Sequence, residues 1–371
     1  MKGVCIRLLM VVLLGFFFVS CSLKPIKIGF IGGLSGFNSD LGISGRNGVS
    51  LAIDAINSQG GIRGRRIELL VRDDKQDPKA AVSVFRELAA ERVVAIIGPM
   101  TSSIARELIP LSNESHIPLI SPSASSPDFS GLDDMFIRLT TPNTNEALGL
   151  AQESYKRGAK KPCVVDDLSN QAFSQPLART YTAEFRRLSA DQGGDVPVVV
   201  LPYDPKDPLG TQTLLTGLEQ YKPDLVLFTT NSMDTAILAQ LIRRSGFSMS
   251  FLGTGWSMSQ SLIENGGHAV EGMAFTVPFN PQFEAATWKQ FVQKYSQAFG
   301  KDPDFGAAQG WNAVLVLAKA IKENGTKNIK ESIINKQYDG LQGPFSIDPY
   351  GDPIIPFQRL EIRSGKLVAT P

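Results

Sequence analysis

Along most of the chain, short apolar runs rich in branched residues alternate with longer stretches whose apolar positions recur every three or four residues. That alternation predicts strands and helices in turn. "PIKIGFIGG" predicts the first strand, and "GRNGVSLAIDAINSQGG" a helix stopped by Gly60 and Gly61. "RRIELLVRDD" is a second strand. Asp77 and Pro78 then supply an N-cap and a first helical position for "KAAVSVFRELAAE", ahead of a third strand in "RVVAIIG". A helix over about 103–112 and a strand over 118–120 follow.

After "RLTTPNTNEA" the rhythm restarts. "KPCVVDD", "VPVVVLPYD", "PDLVLFTT" and "SFLGTG" read as strands, separated by the helical stretches "FSQPLARTYTAEFRRLSA", "GTQTLLTGLEQY" and "MDTAILAQLIRRSG". Two successive α/β units are the economical account, each a parallel sheet covered by helices on both faces. The proline-marked stretches 140–145 and 276–282 predict crossings between them, and helices near 283–299 and 306–324 would return to the first unit. "PIIPFQRLEIRSGKLVAT" reads as two strands joined at Ser364 and Gly365, with no pattern to say which unit receives it.

The N-terminus is different. Lys2 and Arg7 precede an apolar run over 8–19, too short to span a bilayer and laid out like a secretory leader. "FVSC" resembles the bacterial lipoprotein signal, which implies removal of 1–20 and lipid on Cys21; the competing reading is an ordinary residue beside an ordinary cleavage site. The remaining chain of about 350 residues exceeds one usual core and fits two domains. With Lys plus Arg at 37 and Asp plus Glu at 36, no basic excess recruits nucleic acid or an anionic membrane surface. Contact with a membrane is expected through the anchor alone.

Two apolar runs open into hydroxyls: "AIIGPMTSSIARE" and "LISPSASSPDF". In an open parallel sheet, ligands sit beyond the carboxyl ends of the strands. Ser102 and Ser103 fall where a strand ends and a helix begins, so hydroxyls and helix N-terminal N–H groups can meet a carboxylate or phosphate there. The second serine run is placed to add donors to the same anion. Helix caps and turn fillers are the plainer explanation for these residues.

These motifs, with "GGLSGFNSDLG" and "GVSLAIDAINSQGGIRGRRIELLVRDDKQDP", resemble the bacterial periplasmic leucine/isoleucine/valine-binding proteins, the substrate-binding components of ABC importers. The resemblance is dense over about 26–143 and weaker afterwards. It implies a type I periplasmic binding protein: α/β, two doubly wound parallel-sheet lobes joined by a three-strand hinge, closing on a ligand. The lobes would comprise 22–141 with 278–343, and 142–277 with 344–371. It implies no enzyme activity, metal or cofactor, a monomer working with an ABC permease, and residence in the periplasm or at the cell surface. Ser102, Ser123 and Ser125 match the positions that hold the ligand's carboxylate and help hold its ammonium.

The second half departs from the pattern. The family's acidic partner for the ligand ammonium falls here on Gly255 in "FLGTGWS". An ammonium buried without an anion is costly, so another acid substitutes or the ligand is not a plain α-amino acid. Asp166, Asp167 and Asp234 are candidate substitutes, with solvated loop positions as the plainer reading, and Trp256 could offer an aromatic face. Leu41, Phe173 and Asn231 fall where the family presents aromatic residues, and Leu41 favours an apolar ligand side chain.

Other chemistry finds little support. His116 and His268 lack metal-ligand spacing, and Cys163 sits in an apolar strand. "GGLSG" is not a dinucleotide fingerprint, and Asp73, Asp74 and Asp77 read as a strand end and helix cap. The expected function is capture of an amino acid or related small carboxylate for import; a sensory protein of the same fold is the alternative.

Overall fold

The computed structural model describes residues 23–36, 39–191, 194 and 196–370; the leader 1–20 and Cys21 lie outside them. Strands β1 (Ile26–Gly32), β2 (Ile67–Asp73), β3 (Ile96–Ile97), β4 (Leu119–Ser121) and β5 (Phe136–Arg138) pair in parallel in the order β2-β1-β3-β4-β5. Helices α1 (Asp40–Ser58), α2 (Pro78–Ala90) and α3 (Ser102–Ser115) connect them. Asp77 caps α2 as its sequence predicts, accepting from Ala80 N at 2.8 Å. Because β1 leads outward to β2 and the chain then returns to β3 on its other side, the sheet has a switch point between β1 and β3. A crevice opens there, at the strands' carboxyl ends.

The second lobe repeats the plan. Its strands are β6 (Pro162–Asp167), β7 (Val199–Tyr203), β8 (Leu225–Phe228), β9 (Ser250–Gly253) and β10 (Ala274–Val277). Between them run α4 (Thr144–Lys156) before β6, then α5 (Gln171–Ala190), α6 (Gly210–Tyr221), α7 (Ser232–Arg244) and α8 (Gln260–Gly266). Cys163, Val164 and Val165 are fully buried, as strands covered on both faces require. Burial pushes the Cys163 thiol up to about 12, so it behaves as a small apolar residue.

The chain then returns to the first lobe through α9 (Ala286–Phe299), α10 (Phe305–Asn324) and α11 (Ile329–Ile333). α10 meets α1 backbone to backbone. A Cβ built on Gly48 would stand 2.0 Å from the Ala307 carbonyl oxygen, and one on Gly310 would stand 2.3 Å from that of Gly45. Glycine is needed at both positions for this close approach.

Strands β11 (Lys336–Gly340), β12 (Gly343–Ile347) and β13 (Pro353–Ile354) form a small antiparallel sheet. This corrects the boundary expected at 343/344, which would cut the β11–β12 pairing. Phe345 and Ile347 bury with Ile26, Ile28 and Val316 in the first lobe's core, so the third crossing comes after Ile354. Beyond it, β14 (Gln358–Arg363) and β15 (Lys366–Thr370) add an antiparallel hairpin to β10, giving the order β7-β6-β8-β9-β10-β14-β15. Ser364 and Gly365 turn it with φ of 50° and 69°, the left-handed pair that tight hairpins favour.

Arg138, at the end of β5, has a fully buried side chain. Its Nε donates to Asp352 Oδ1, one terminal nitrogen to the Ser126 carbonyl and the other to Ser130 Oγ, each at 2.6 Å. The guanidinium thus ties the sheet to the returning segment just ahead of the third crossing.

Candidate functional site

A small cavity lies between the lobes, lined by side chains of both. A narrow cleft of this kind takes a small molecule rather than a polymer. All three crossings contribute to its lining: Thr140 and Thr141 from the first, Pro278 from the second and Phe357 from the third. Residues on this floor move whenever the lobes rotate about the crossings.

On the first-lobe side, β3 is followed by Met100 and Thr101, and Ser102 begins α3. Ser102 is 1% exposed, and its Oγ accepts from Ser125 N and Ser126 N, each at 3.1 Å. With its lone pairs so engaged, the hydroxyl has its proton to donate into the cavity. Ser123 is polarised the other way. Its Oγ donates to the Met100 carbonyl at 2.6 Å, leaving lone pairs for a donor. Ser125 also lines the cavity, but its N–H is committed to Ser102, so that backbone donor does not face the cavity free.

The walls are apolar. Leu41, Met100, Phe173, Met258, Val277 and Phe305 line them, and Trp256 meets Phe173 edge to face at 5.6 Å. Leu41, Phe173, Gly255 and Trp256 therefore border the cavity with the three serines. Asn231 does not. It caps α7, with its oxygen accepting from Asp234 N at 2.9 Å and its Nδ2 donating to Asp234 Oδ2 at 2.6 Å.

The three aspartates considered as substitutes for a side chain at 255 also stand outside the lining, and none is a solvated loop residue. Asp166 is 7% exposed, Asp167 0% and Asp234 4%. Burial pushes Asp167 up to about 7, against hydrogen bonds from Ser169.

The acid that reaches the cavity is Glu146, in the first turn of α4. Its Oε1 accepts from Gly255 N at 2.6 Å. Burial pushes its carboxyl up to about 8, with the Gly255 N–H pulling the other way. It is the one ionisable side chain among the described lining residues. Sequence reading passed over it, although it precedes Leu150 by four residues on the buried stripe of α4, where a carboxylate is out of place.

Across the mouth the lobes hold each other directly. Asn170 Oδ1 accepts from Ser103 N at 3.0 Å, while Ser103 Oγ accepts from Ala172 N at 3.3 Å. Ser232 Oγ also donates to the Asp40 carboxylate. These contacts join α3 to the start of α5 and α1 to the start of α7. The structure is thus a closed form, its cleft shut over the cavity.

Comparisons with known proteins agree with this fold. The family model described as periplasmic binding protein matches residues 25–366. The leucine-, isoleucine-, valine-, threonine- and alanine-binding protein of Pseudomonas aeruginosa is 24% identical over 343 residues, covering 91% of this chain and 90% of the relative. The branched-chain amino acid transporter substrate binding protein of Streptococcus pneumoniae, solved with isoleucine, superposes with a TM-score of 0.83 at 24% identity, covering 93% of this chain and 99% of that one. A solute binding protein of an R. palustris ABC transporter, solved with benzoate, gives 0.82 at 21% identity, covering 93% and 95%. The fold is that of a type I periplasmic binding protein, two lobes with parallel-sheet cores. A family model spanning nearly the whole described chain, together with a cleft shut between two such lobes, shows that the protein belongs to the periplasmic binding protein family, whose members bind solutes rather than transform them.

Proposed function

We propose that the chain is the solute-binding component of an ABC importer, held outside the cytoplasm by lipid on Cys21, and that it captures a small carboxylate of the branched-chain amino acid kind. The observation that carries the reading is the closed cavity. It has a proton donor at Ser102 and an apolar wall from Leu41 to Phe305. The carboxylate would meet Ser102 and Ser125, and the aliphatic part would face Leu41, Phe173 and Trp256. Capture proceeds by hinge closure, because a bound ligand touches both lobes only in the closed form and so shifts the population toward it. The permease would read that closed form.

The benzoate complex of the R. palustris relative favours a second reading, an amine-free aromatic acid facing Phe173, Trp256, Phe305 and Phe357. A thermal-shift screen of the purified protein against the amino acids, their amides, and aliphatic and aromatic carboxylates tests both, since a ligand that binds only the folded state raises the melting temperature. At 100 times its Kd a ligand adds about 2.7 kcal/mol, a shift of several degrees. Leucine, isoleucine or valine is expected to give it. A melting temperature indifferent to every small carboxylate sinks the proposal.

A further inference from the structure

The cavity is polarised in a way that neither the serines nor the apolar walls account for alone. Ser102 faces it as a donor, whereas Ser123, whose proton is held by Met100, faces it as an acceptor. Glu146 stands as a second acceptor. A Cβ built on Gly255 would lie 3.7 Å from Glu146 Oε1, so this carboxyl borders the space that a side chain at 255 would enter. It arrives there from α4 rather than from the loop after β9. Gly255 leaves that space open and fixes the carboxyl with its N–H at 2.6 Å.

A plain acid would satisfy Ser102 and leave the Ser123 lone pairs without a donor, with the Glu146 carboxyl kept neutral beside it. Unpaired buried acceptors are costly. A ligand that carries both a carboxylate and a protonated amine matches donor and acceptors together.

We infer that Glu146 is the anionic partner of a protonated amine on the ligand, and that through it the site selects amine-bearing carboxylates over amine-free ones. This rests on the reading of the cavity as a carboxylate site. The elements packed on α4, namely α5, β10 and the loop after β9, bear on the Glu146 proton only through burial and the Gly255 N–H. In the empty site at pH 7 that proton is held, since the carboxyl titrates at about 8. An arriving ammonium stabilises the carboxylate and the proton leaves to solvent, with no bond to the ligand made or broken. Affinity for the amine-bearing ligand therefore rises with pH up to about 8 and levels off above it.

Titration calorimetry at pH 7 on the purified protein and on Glu146→Gln, with leucine, isoleucine, 4-methylpentanoate and benzoate in buffers of different ionisation enthalpy, is the test. Glutamine keeps an acceptor for Gly255, so the variant retains the local fold, which its ligand-free melting curve reports. Leucine or isoleucine is expected to bind the native protein with release of close to one proton. The amine-free 4-methylpentanoate should bind about 100-fold more weakly, and Glu146→Gln should lose about 100-fold in amino-acid affinity together with the proton release. Equal affinity of leucine and 4-methylpentanoate, tighter binding of benzoate than of any amino acid, or a Glu146→Gln variant with native affinity overturns the inference while the carboxylate reading stands. Binding of none of these acids overturns both.

Discussion

Replacing Ser102 with alanine is expected to lower affinity for the captured carboxylate by about one to two orders of magnitude, as follows from losing a charge-assisted hydrogen bond of roughly 1.5–3 kcal/mol. The same hydroxyl is the acceptor for Ser125 N and Ser126 N, in a residue 1% exposed. Alanine leaves those N–H groups without it, and the loop after β4 loses the contact that holds it against α3. The ligand-free protein should therefore melt earlier as well, by an amount corresponding to about 1–3 kcal/mol. Calorimetric titration and thermal melts of the same preparation separate the effects. Unchanged affinity in a folded Ser102→Ala protein would remove Ser102 from the site.

The largest loss of stability is expected at Arg138. Arg138→Met keeps much of the volume but removes the charge that faces Asp352 at 2.6 Å and the donors to Ser126 and Ser130. Breaking one side of a buried pair costs about 3–5 kcal/mol, because the remaining charge stays where water cannot reach it well. Asp352 has a side chain only 14% exposed, so it meets that condition. Urea denaturation followed by fluorescence and far-UV dichroism should show the first lobe's transition moved to markedly lower denaturant. A loss below about 1 kcal/mol would mean that Asp352 finds solvent by a local shift, and that the guanidinium is not what fastens the returning segment.

The alternation of β-branched runs with three-to-four-residue periods was enough to read the two-lobe α/β plan, because strands buried on both faces leave so clear an apolar signature. The serines after β3 and β4 were legible too, since strand ends in such sheets lie at the crevice. The antiparallel sheet from β11 to β13 was not. Its strands are short and half exposed, and their pairing depends on the distant core formed by Ile26 and Ile28. The local pattern around 343 therefore gave no reason to keep Phe345 with the first lobe.

At the site, the difference between Asn231 and Glu146 shows what limits such reading. Asn231 was placed by likeness to a family position, while "NSMD" itself carries the signal of a helix cap, a side-chain oxygen three residues before the N–H it accepts from. Glu146 lies on no motif, and only its position on the stripe with Ala147, Leu150 and Ala151 marks it. What brings it to the cavity is the packing of α4 beside the loop after β9, a contact between residues 109 positions apart. No local pattern contains that.

The close fit of α1 with α10 has a consequence for how the protein is made. Half of that seam lies near the start of the chain, while the other half begins only at Phe305, and Phe345 and Ile347 come later still. A ribosome delivers β1 to β5 with α1, α2 and α3 well before α10, α11, Phe345 and Ile347 can complete the cover of one face, whereas β6 to β10 and their helices arrive as one uninterrupted block. During synthesis the middle of the chain can bury its sheet first, and the opening segments keep that face open until the end. Pulse-labelled hydrogen exchange on refolding should accordingly register protection at Val226 and Leu252 before Ile28 and Ile97, an order opposite to that in which the residues are joined.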